Sequence, residues 1–235
     1  MSKVLFLVNH DVVIYNFRLE LVERLIADGH HVVISSPYGE RIDDLKKLGC
    51  EYHEIEISRH GMNPVKEIKL VSEYKTLIKK VKPDIVFTYT IKPNIYGGMA
   101  AKALKVPYVA NITGLGTALE TDSVVQKVLV GREIASAPTV LMAAYPVRGL
   151  DINSSYTIYN LLNEQKKKGV AVIFVGEDLD VLVELCDRIL VLGSGKVTGI
   201  VDGRNTTKEE IGILMTKSDY VEDLEQEGDN NEKAE

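Results

Sequence analysis

The chain is poor in cysteine. Cys50 and Cys186 are the only two in 235 residues, and neither sits in a Cys-x-x-Cys or Cys/His cluster. That disfavours a disulfide framework and a structural zinc site, and makes a reducing cytosol the expected setting. No run of eighteen apolar residues occurs, so a transmembrane helix is not expected. The N-terminus, MSKVLFLVNHDVV, has one lysine, a short apolar run and polar residues by Asn9, which reads as a buried strand rather than a signal peptide. The fingerprint G-x-G-x-x-G is absent, disfavouring a Rossmann dinucleotide site, and G-x-x-x-x-G-K-[ST] is absent too. Gly193-Ser194-Gly195-Lys196 lacks the upstream glycine a P-loop needs. No histidine follows His60. No cofactor and no metal are expected.

What is present is ordinary for a globular chain: 45% hydrophobic and 26% charged residues. Net charge is −6, which argues against nucleic acid as the main partner. The charge is uneven. Residues 1–120 hold 16 basic and 14 acidic side chains, residues 121–235 hold 12 and 20, and eight of those acids lie in 218–235. That last stretch has too little apolar area to fold and reads as a solvated, disordered tail.

Patterning alternates strand and helix. Strands are expected at Lys3–Val8, His31–Ser35, Tyr52–Ile57, Asp84–Thr88 and Tyr108–Asn111, with helices at Tyr15–Ala27, Arg41–Leu48, Pro64–Lys80 and Asn94–Leu104. After polar ETDS near residue 120 the pattern restarts: helix Val124–Ala135, strand Thr139–Ala144, helix Asn153–Lys168, strand Val170–Val175 and helix Leu179–Cys186. Arg188–Leu192 and Lys196–Val201 flank Gly193-Ser194-Gly195 as a β-hairpin, and Thr207 and Glu210 offer a capping box for a last helix, Thr207–Met215. The expected fold is α/β: a doubly wound, mainly parallel, Rossmann-like sheet, then a second α/β segment with a terminal hairpin.

In such sheets ligands sit beyond the carboxyl ends of the strands, where helix N-termini offer free N–H groups. Four polar loops fall there. Asn9-His10-Asp11 reads as a phosphate or sugar contact, or as a capped turn. Arg59-His60 offers a bidentate phosphate donor and an acid or base, or an ordinary exposed pair. Thr90, Lys92 and Asn94 in TYTIKPN put a cation and hydroxyls at a helix N-terminus, or form a polar cap. Thr113-Gly114-Leu115-Gly116 permits close backbone approach to a ligand, or is a plain turn. Each loop alone says little; four at one sheet edge say more.

KVLFLVNHDVVIYNFRLELVERL, SSPYGERIDDLKKLGC, EISRHGMNP, KPDIVFTYTIKPNIYGG and PYVANITGLGT resemble the N-terminal domain of family-4-like bacterial glycosyltransferases, over about residues 1–119. The resemblance implies an acceptor-binding domain, with a sugar- or phosphate-bearing, lipid-linked acceptor, in a cytoplasmic enzyme that touches membranes peripherally. Members carry a second Rossmann-like domain that holds the nucleotide-sugar diphosphate through a Lys/Arg and an E-x7-E motif. Here only Glu227 and Glu235 show that spacing, inside the acidic tail, so the donor half is missing.

VQKVLVGREIASAPTVLMAAYPVRGLDINSSYTIYNLL and VIFVGEDLDVLVELCDRILVLGSGKVTGIVDG resemble the C-terminal part of an ABC-transporter ATPase of sugar and nucleoside importers, over about residues 124–216. Gln126-Lys127 and Arg132-Glu133 match the helix after the signature, Val140–Ala144 the Walker B strand, Gly149-Leu150-Asp151 the D-loop and Gly176-Glu177-Asp178 the switch loop. The chemistry is degraded. Glu120-Thr121-Asp122-Ser123 fills the signature slot, Ala144-Tyr145 stands where Asp-Glu would hold Mg²⁺, and Glu177 replaces the switch histidine. Asp151 and Glu177-Asp178 read as an acid/base pair or, more simply, as helix caps. The expectation is a fusion of three parts: 1–119 glycosyltransferase-like, 120–217 ATPase-like without a P-loop, and 218–235 tail. ATP hydrolysis is not expected. A glycosyltransferase-like acceptor domain without complete activity, an importer ATP-binding component and a folded chimera with no evolved activity are the functional readings.

Overall fold

The structure, a computed structural model, describes residues 1–57, 64–113, 138–148 and 152–216, with the backbone alone at 64, 65, 113, 153 and 154. The Arg59-His60 loop, Gly114 and Gly116, the helix expected at Val124–Ala135, Asp151 and the acidic tail lie outside these residues. The chain divides into two compact units, residues 1–175 and 176–235.

In the first unit, seven parallel strands form one sheet: β1 (Lys3–Leu7), β2 (His31–Ser36), β3 (Glu51–Glu54), β4 (Ile85–Tyr89), β5 (Tyr108–Thr113), β6 (Val140–Ala144) and β7 (Ala171–Val175). Their order is β3-β2-β1-β4-β5-β6-β7. The Rossmann-like α/β class expected from the patterning is therefore present. The sheet runs on past residue 119, because Val109 of β5 pairs with Val140 of β6 and Val140 with Ala171 of β7.

Near-continuous apolar strands need cover on both faces. Val4, Phe6, Val8, Val32 and Ile34 turn to one face, where α1 (Asp11–Phe17), α2 (Leu19–Ala27) and α3 (Ile42–Lys47) bring Ile14, Val22, Ile42 and Leu45. Leu5, Leu7, Val33 and Val86 turn to the other. There α4 (Pro64–Val81), a π-helical turn (Pro93–Gly97) running into α5 (Gly98–Ala103), and α6 (Ile152–Lys167) pack Leu70, Tyr74, Ile95, Ala101, Ile158 and Leu162.

Two helices differ from the periodicity. The helix expected from Tyr15 to Ala27 starts at Asp11 and breaks at Arg18, whose φ of −138° leaves helical space. The break is shallow: Arg18 N–H still donates to the Ile14 carbonyl, and Val22 N–H to that of Arg18. Apolar spacing alone does not register such a break, since Ile14 and Val22 stay on one core face. The helix expected from Asn94 already takes in Ile91 and Lys92 and widens at Pro93 into the π-helical turn. Gly97 and Gly98 make its close seat possible: a Cβ at Gly97 would lie 2.7 Å from Leu7 Cδ1, and one at Gly98 2.8 Å from Tyr108 Cε2.

The second unit pairs β8 (Arg188–Gly193) with β9 (Lys196–Asp202) as an antiparallel hairpin, with α7 (Leu179–Leu185) and α8 (Lys208–Thr216). Ser194 and Gly195 both have positive φ, 50° and 77°, the pattern of a two-residue primed turn. Gly193-Ser194-Gly195 is therefore spent on the hairpin turn. Ile189, Val191 and Ile211 form this unit's core, with Leu182, Val201 and Leu214 against it. The capping box is present: Glu210 N–H donates to Thr207 Oγ1 at 3.3 Å, and Thr207 N–H donates to Glu210 Oε2 at 3.2 Å.

Candidate functional site

Parallel strands put all their carboxyl ends at one edge. The strand order reverses direction between β1 and β4, the switch point at which doubly wound sheets open a crevice. The turn after β1 carries Asn9, His10 and Asp11; the turn after β4 carries Thr90, Lys92 and Asn94. Two of the four predicted loops thus leave neighbouring strands at the switch point. Thr113 ends β5, the next strand along, while Arg59, His60, Gly114 and Gly116 fall outside the described residues.

His10 is the N-cap of α1. Its Nδ1 accepts from Val12 N–H at 3.3 Å and also lies against Asp11 Oδ1. One nitrogen cannot accept from the amide and donate to the carboxylate together, so the two contacts call for different tautomers of the ring. Asp11 is buried, and its Oδ2 accepts from the Arg41 backbone N–H at 2.7 Å. It ties the β1 turn to the start of α3, and a side chain at Gly39 would fall on its carboxylate. Asn9 beside it is half-buried.

On the other side of the crevice, Asn94 is buried and its Nδ2 donates to the Asn111 carbonyl at 2.9 Å, while Asn111 Nδ2 donates to the Thr88 carbonyl at 3.3 Å. These amides lock the ends of β4 and β5 to the π-helical turn. Thr90 has φ of +70°, a left-handed conformation that a β-branched residue adopts only when its surroundings impose it. Lys92 Nζ lies 2.7 Å from Glu67 Oε1 on α4, with the two side chains 18% and 11% exposed. The cation expected at a helix N-terminus, as a ligand contact or a polar cap, thus has a carboxylate at contact distance.

Glu67 escaped the sequence reading, yet a signal existed. It lies three residues before Leu70 and seven before Tyr74, on the apolar stripe of α4, where an acid is out of place. Arg18 escaped as well: its guanidinium sits 5.2 Å from the centre of the Tyr89 ring at the end of β4. Burial raises the Tyr89 hydroxyl pKa, and Arg18 partly offsets that. On β3, the strand at the edge of the sheet, burial and then Glu54 push Tyr52 up to about 12, and its hydroxyl donates to the Ser36 carbonyl at 2.9 Å.

Glu177 belongs to the second unit and is exposed. Its neighbour Asp178 caps α7, Oδ1 accepting from Asp180 N–H at 3.0 Å and Val181 N–H at 3.4 Å. Tyr145, at the end of the ATPase-like strand β6, is in the left-handed region with φ of 48°. Among the described residues no group of three or more His, Cys, Asp or Glu is placed to hold a metal ion, and no helix is long and apolar enough to cross a membrane.

Residues 3–143 match the family described as glycosyl transferase 4-like. The chain is also 39% identical over 92 residues to the galactose/methyl galactoside import ATP-binding protein of Clostridium perfringens, covering 39% of this chain and 18% of that protein. The Escherichia coli protein of the same name is 42% identical over 86 residues, covering 37% and 17%. The chain thus spans under a fifth of the length of these curated relatives. Among solved structures, UDP-GlcNAc 2-epimerase from Neisseria meningitidis, bound to UDP-GlcNAc, aligns with a TM-score of 0.51 at 12% identity, covering 77% of this chain and 48% of that one. That likeness concerns the fold alone.

Proposed function

The chain belongs to the glycosyl transferase 4-like family, matched over residues 3–143, and from that premise we propose that it is the acceptor-binding part of a glycosyltransferase fused to an ABC ATPase fragment, without complete catalytic activity. The observation that carries this reading is the pair of polar turns, Asn9–Asp11 and Thr90–Asn94, leaving the adjacent strands β1 and β4 at the switch point of the sheet. His10, half-exposed at the N-terminus of α1, is a polar group there that a sugar- or phosphate-bearing acceptor, lipid-linked in the proposal, would meet. Glycosyl transfer needs donor and acceptor enclosed together and aligned. No donor clamp is recognisable in residues 1–235, and transfer needs one to hold a nucleotide sugar in reach of the acceptor.

The importer-like reading has a specific observation behind it, the 39% identity over 92 residues. Against it stands the missing P-loop, because phosphoryl transfer rests on positioning and charge stabilisation that such a loop supplies.

Thermal unfolding with ligand separates the readings. A ligand at ten times its Kd stabilises by about 1.4 kcal/mol. A lipid-diphosphate or glycoside acceptor analogue is expected to raise Tm, and ATP is not. A rise with ATP alone, or phosphate release lost in Asp151→Ala, would favour the importer reading. No rise with any ligand would favour a chimera with no evolved activity. Transfer from UDP- or GDP-sugars is expected at background; transfer abolished by His60→Ala would reveal a donor site.

A further inference from the structure

Among the buried side-chain oxygens at the switch-point edge that meet no donor among the described residues are Glu67 Oε2 and Thr90 Oγ1. Glu67 as a residue is only 8% exposed, and an unmatched carboxylate oxygen at that depth carries a desolvation cost that demands an explanation. Its other oxygen takes Lys92. Thr90, two residues before Lys92 in the same turn, is held in the left-handed region that a threonine avoids.

We propose that Glu67, Lys92 and Thr90 form a subsite that reads a hydroxyl group of a neutral, sugar-like ligand, and that it rejects phosphate. This deepens, and rests on, the acceptor-binding reading above. The argument is one of donors and charge. An ionised carboxylate only accepts hydrogen bonds, so the partner that completes Glu67 must bring a donor. A sugar hydroxyl brings one; a phosphate is nearly all acceptor and would face the carboxylate with like charge. The lysine that would otherwise recruit phosphate has its charge balanced by Glu67 at 2.7 Å. Thr90 Oγ1 both donates and accepts, and so suits a ring oxygen or a second hydroxyl. Backbone strain concentrated on the residue that carries one of the unmatched oxygens fits a group held for ligand rather than for packing.

The test uses the full chain with neutral methyl glycosides (methyl α-glucoside and methyl β-galactoside) followed by saturation-transfer NMR, and inorganic phosphate followed by ³¹P line width. Wild type is expected to saturate at least one glycoside and to leave phosphate sharp. Glu67→Gln keeps the shape and removes the negative charge 2.7 Å from Lys92 Nζ. Glycoside affinity should fall about tenfold, the scale of a lost hydrogen bond to a charged group, and phosphate should now broaden. Thr90→Gly should weaken the glycoside while holding or raising Tm, because glycine adopts positive φ without strain; a threonine kept for packing alone would lower Tm on removal. If Glu67→Gln fails to fold, Thr90→Gly carries the test alone. Unchanged glycoside binding in the folded variants, or phosphate displacing glycoside from wild type, overturns the subsite and leaves the acceptor-binding reading standing. Absence of any glycoside signal in wild type overturns the subsite, and the acceptor-binding reading is then decided separately by whether a lipid-diphosphate analogue raises Tm.

Discussion

Strands β1 and β2 and strands β6 and β7 belong to one sheet but live in different surroundings. After its first residue, each of β1 and β2 is buried at every position, whereas β6 alternates between buried and half-buried and β7 between exposed and half-buried. Ile173 and Val175 on β7 are 48% and 37% exposed, although they are as apolar as Leu5 or Val33, which are fully buried. Hydrogen-bonded pairing alone therefore does not decide how much a strand contributes. What decides it is whether helices seal the face the side chain points to. The centre of the sheet is sealed on both sides by α1–α3 and by α4–α5. The difference teaches that the seven strands share a ladder without sharing a core equally.

The sharpest way to break that comparison is to truncate a residue on each side of it. Phe6 is fully buried and stacks on Phe87 at 5.3 Å, so Phe6→Ala is expected to cost about 3–5 kcal/mol in urea unfolding, while Ile173→Ala costs under about 1. Equal losses at the two positions would show that β7 is covered as deeply as β1. A smaller effect comes from overfilling the centre. Gly97→Ala pushes a methyl toward Leu7, and about 1–3 kcal/mol should be lost unless Leu7 changes rotamer. The matching substitution at the half-buried helical Gly212, which has nothing within 4 Å of its Cβ position, should hold or gain stability.

Tyr74 sharpens the comparison through pH. Its hydroxyl is fully buried on α4 without a partner among the described residues, and burial pushes its pKa far above the ordinary value near 10. The unfolded chain ionises this tyrosine first, so its contribution is full below about pH 10 and is lost above it at up to about 1.4 kcal/mol per pH unit. Tyr74→Phe should flatten that alkaline slope and, by removing an unmatched hydroxyl, be neutral or stabilising at pH 7. Tyr52 and Tyr89, both raised, keep the remainder of the slope. An unchanged slope would mean the hydroxyl reaches water. The smallest effect is expected in the second unit, where Thr207→Ala opens the capping box at about 1 kcal/mol. Circular dichroism melting that leaves residues 1–175 unaffected would confirm that the loss is local to α8.

Much of the fold was legible because each strand is bounded by its own punctuation. Gly29 and Gly49, both at positive φ, stop α2 and α3 where the sequence says helices end, and Gly193-Ser194-Gly195 marks the hairpin turn. The candidate site was legible only as a set of positions. That Asn9–Asp11 and Thr90–Asn94 follow neighbouring strands depends on strand order, which no local pattern encodes. Asp11 and Lys92 each read as a ligand contact or as part of a capped turn; in the fold Asp11 is buried against Arg41 N–H and Lys92 has Glu67 at contact distance. Both partners lie 25 residues or more away along the chain, so their encounter is a product of packing.

The amino-acid sequence by itself determined the period of each element and the α/β class, because hydrophobic spacing and turn residues act over a few positions at a time. Only the tertiary structure decided that β6 and β7 join the sheet begun by β1–β5, and that the chain divides after Val175. It also decided which polar side chains at the sheet edge are already paired. Those outcomes rest on contacts between distant segments, where burial makes a missing partner costly and fixes each charge to the neighbour that the fold brings to it.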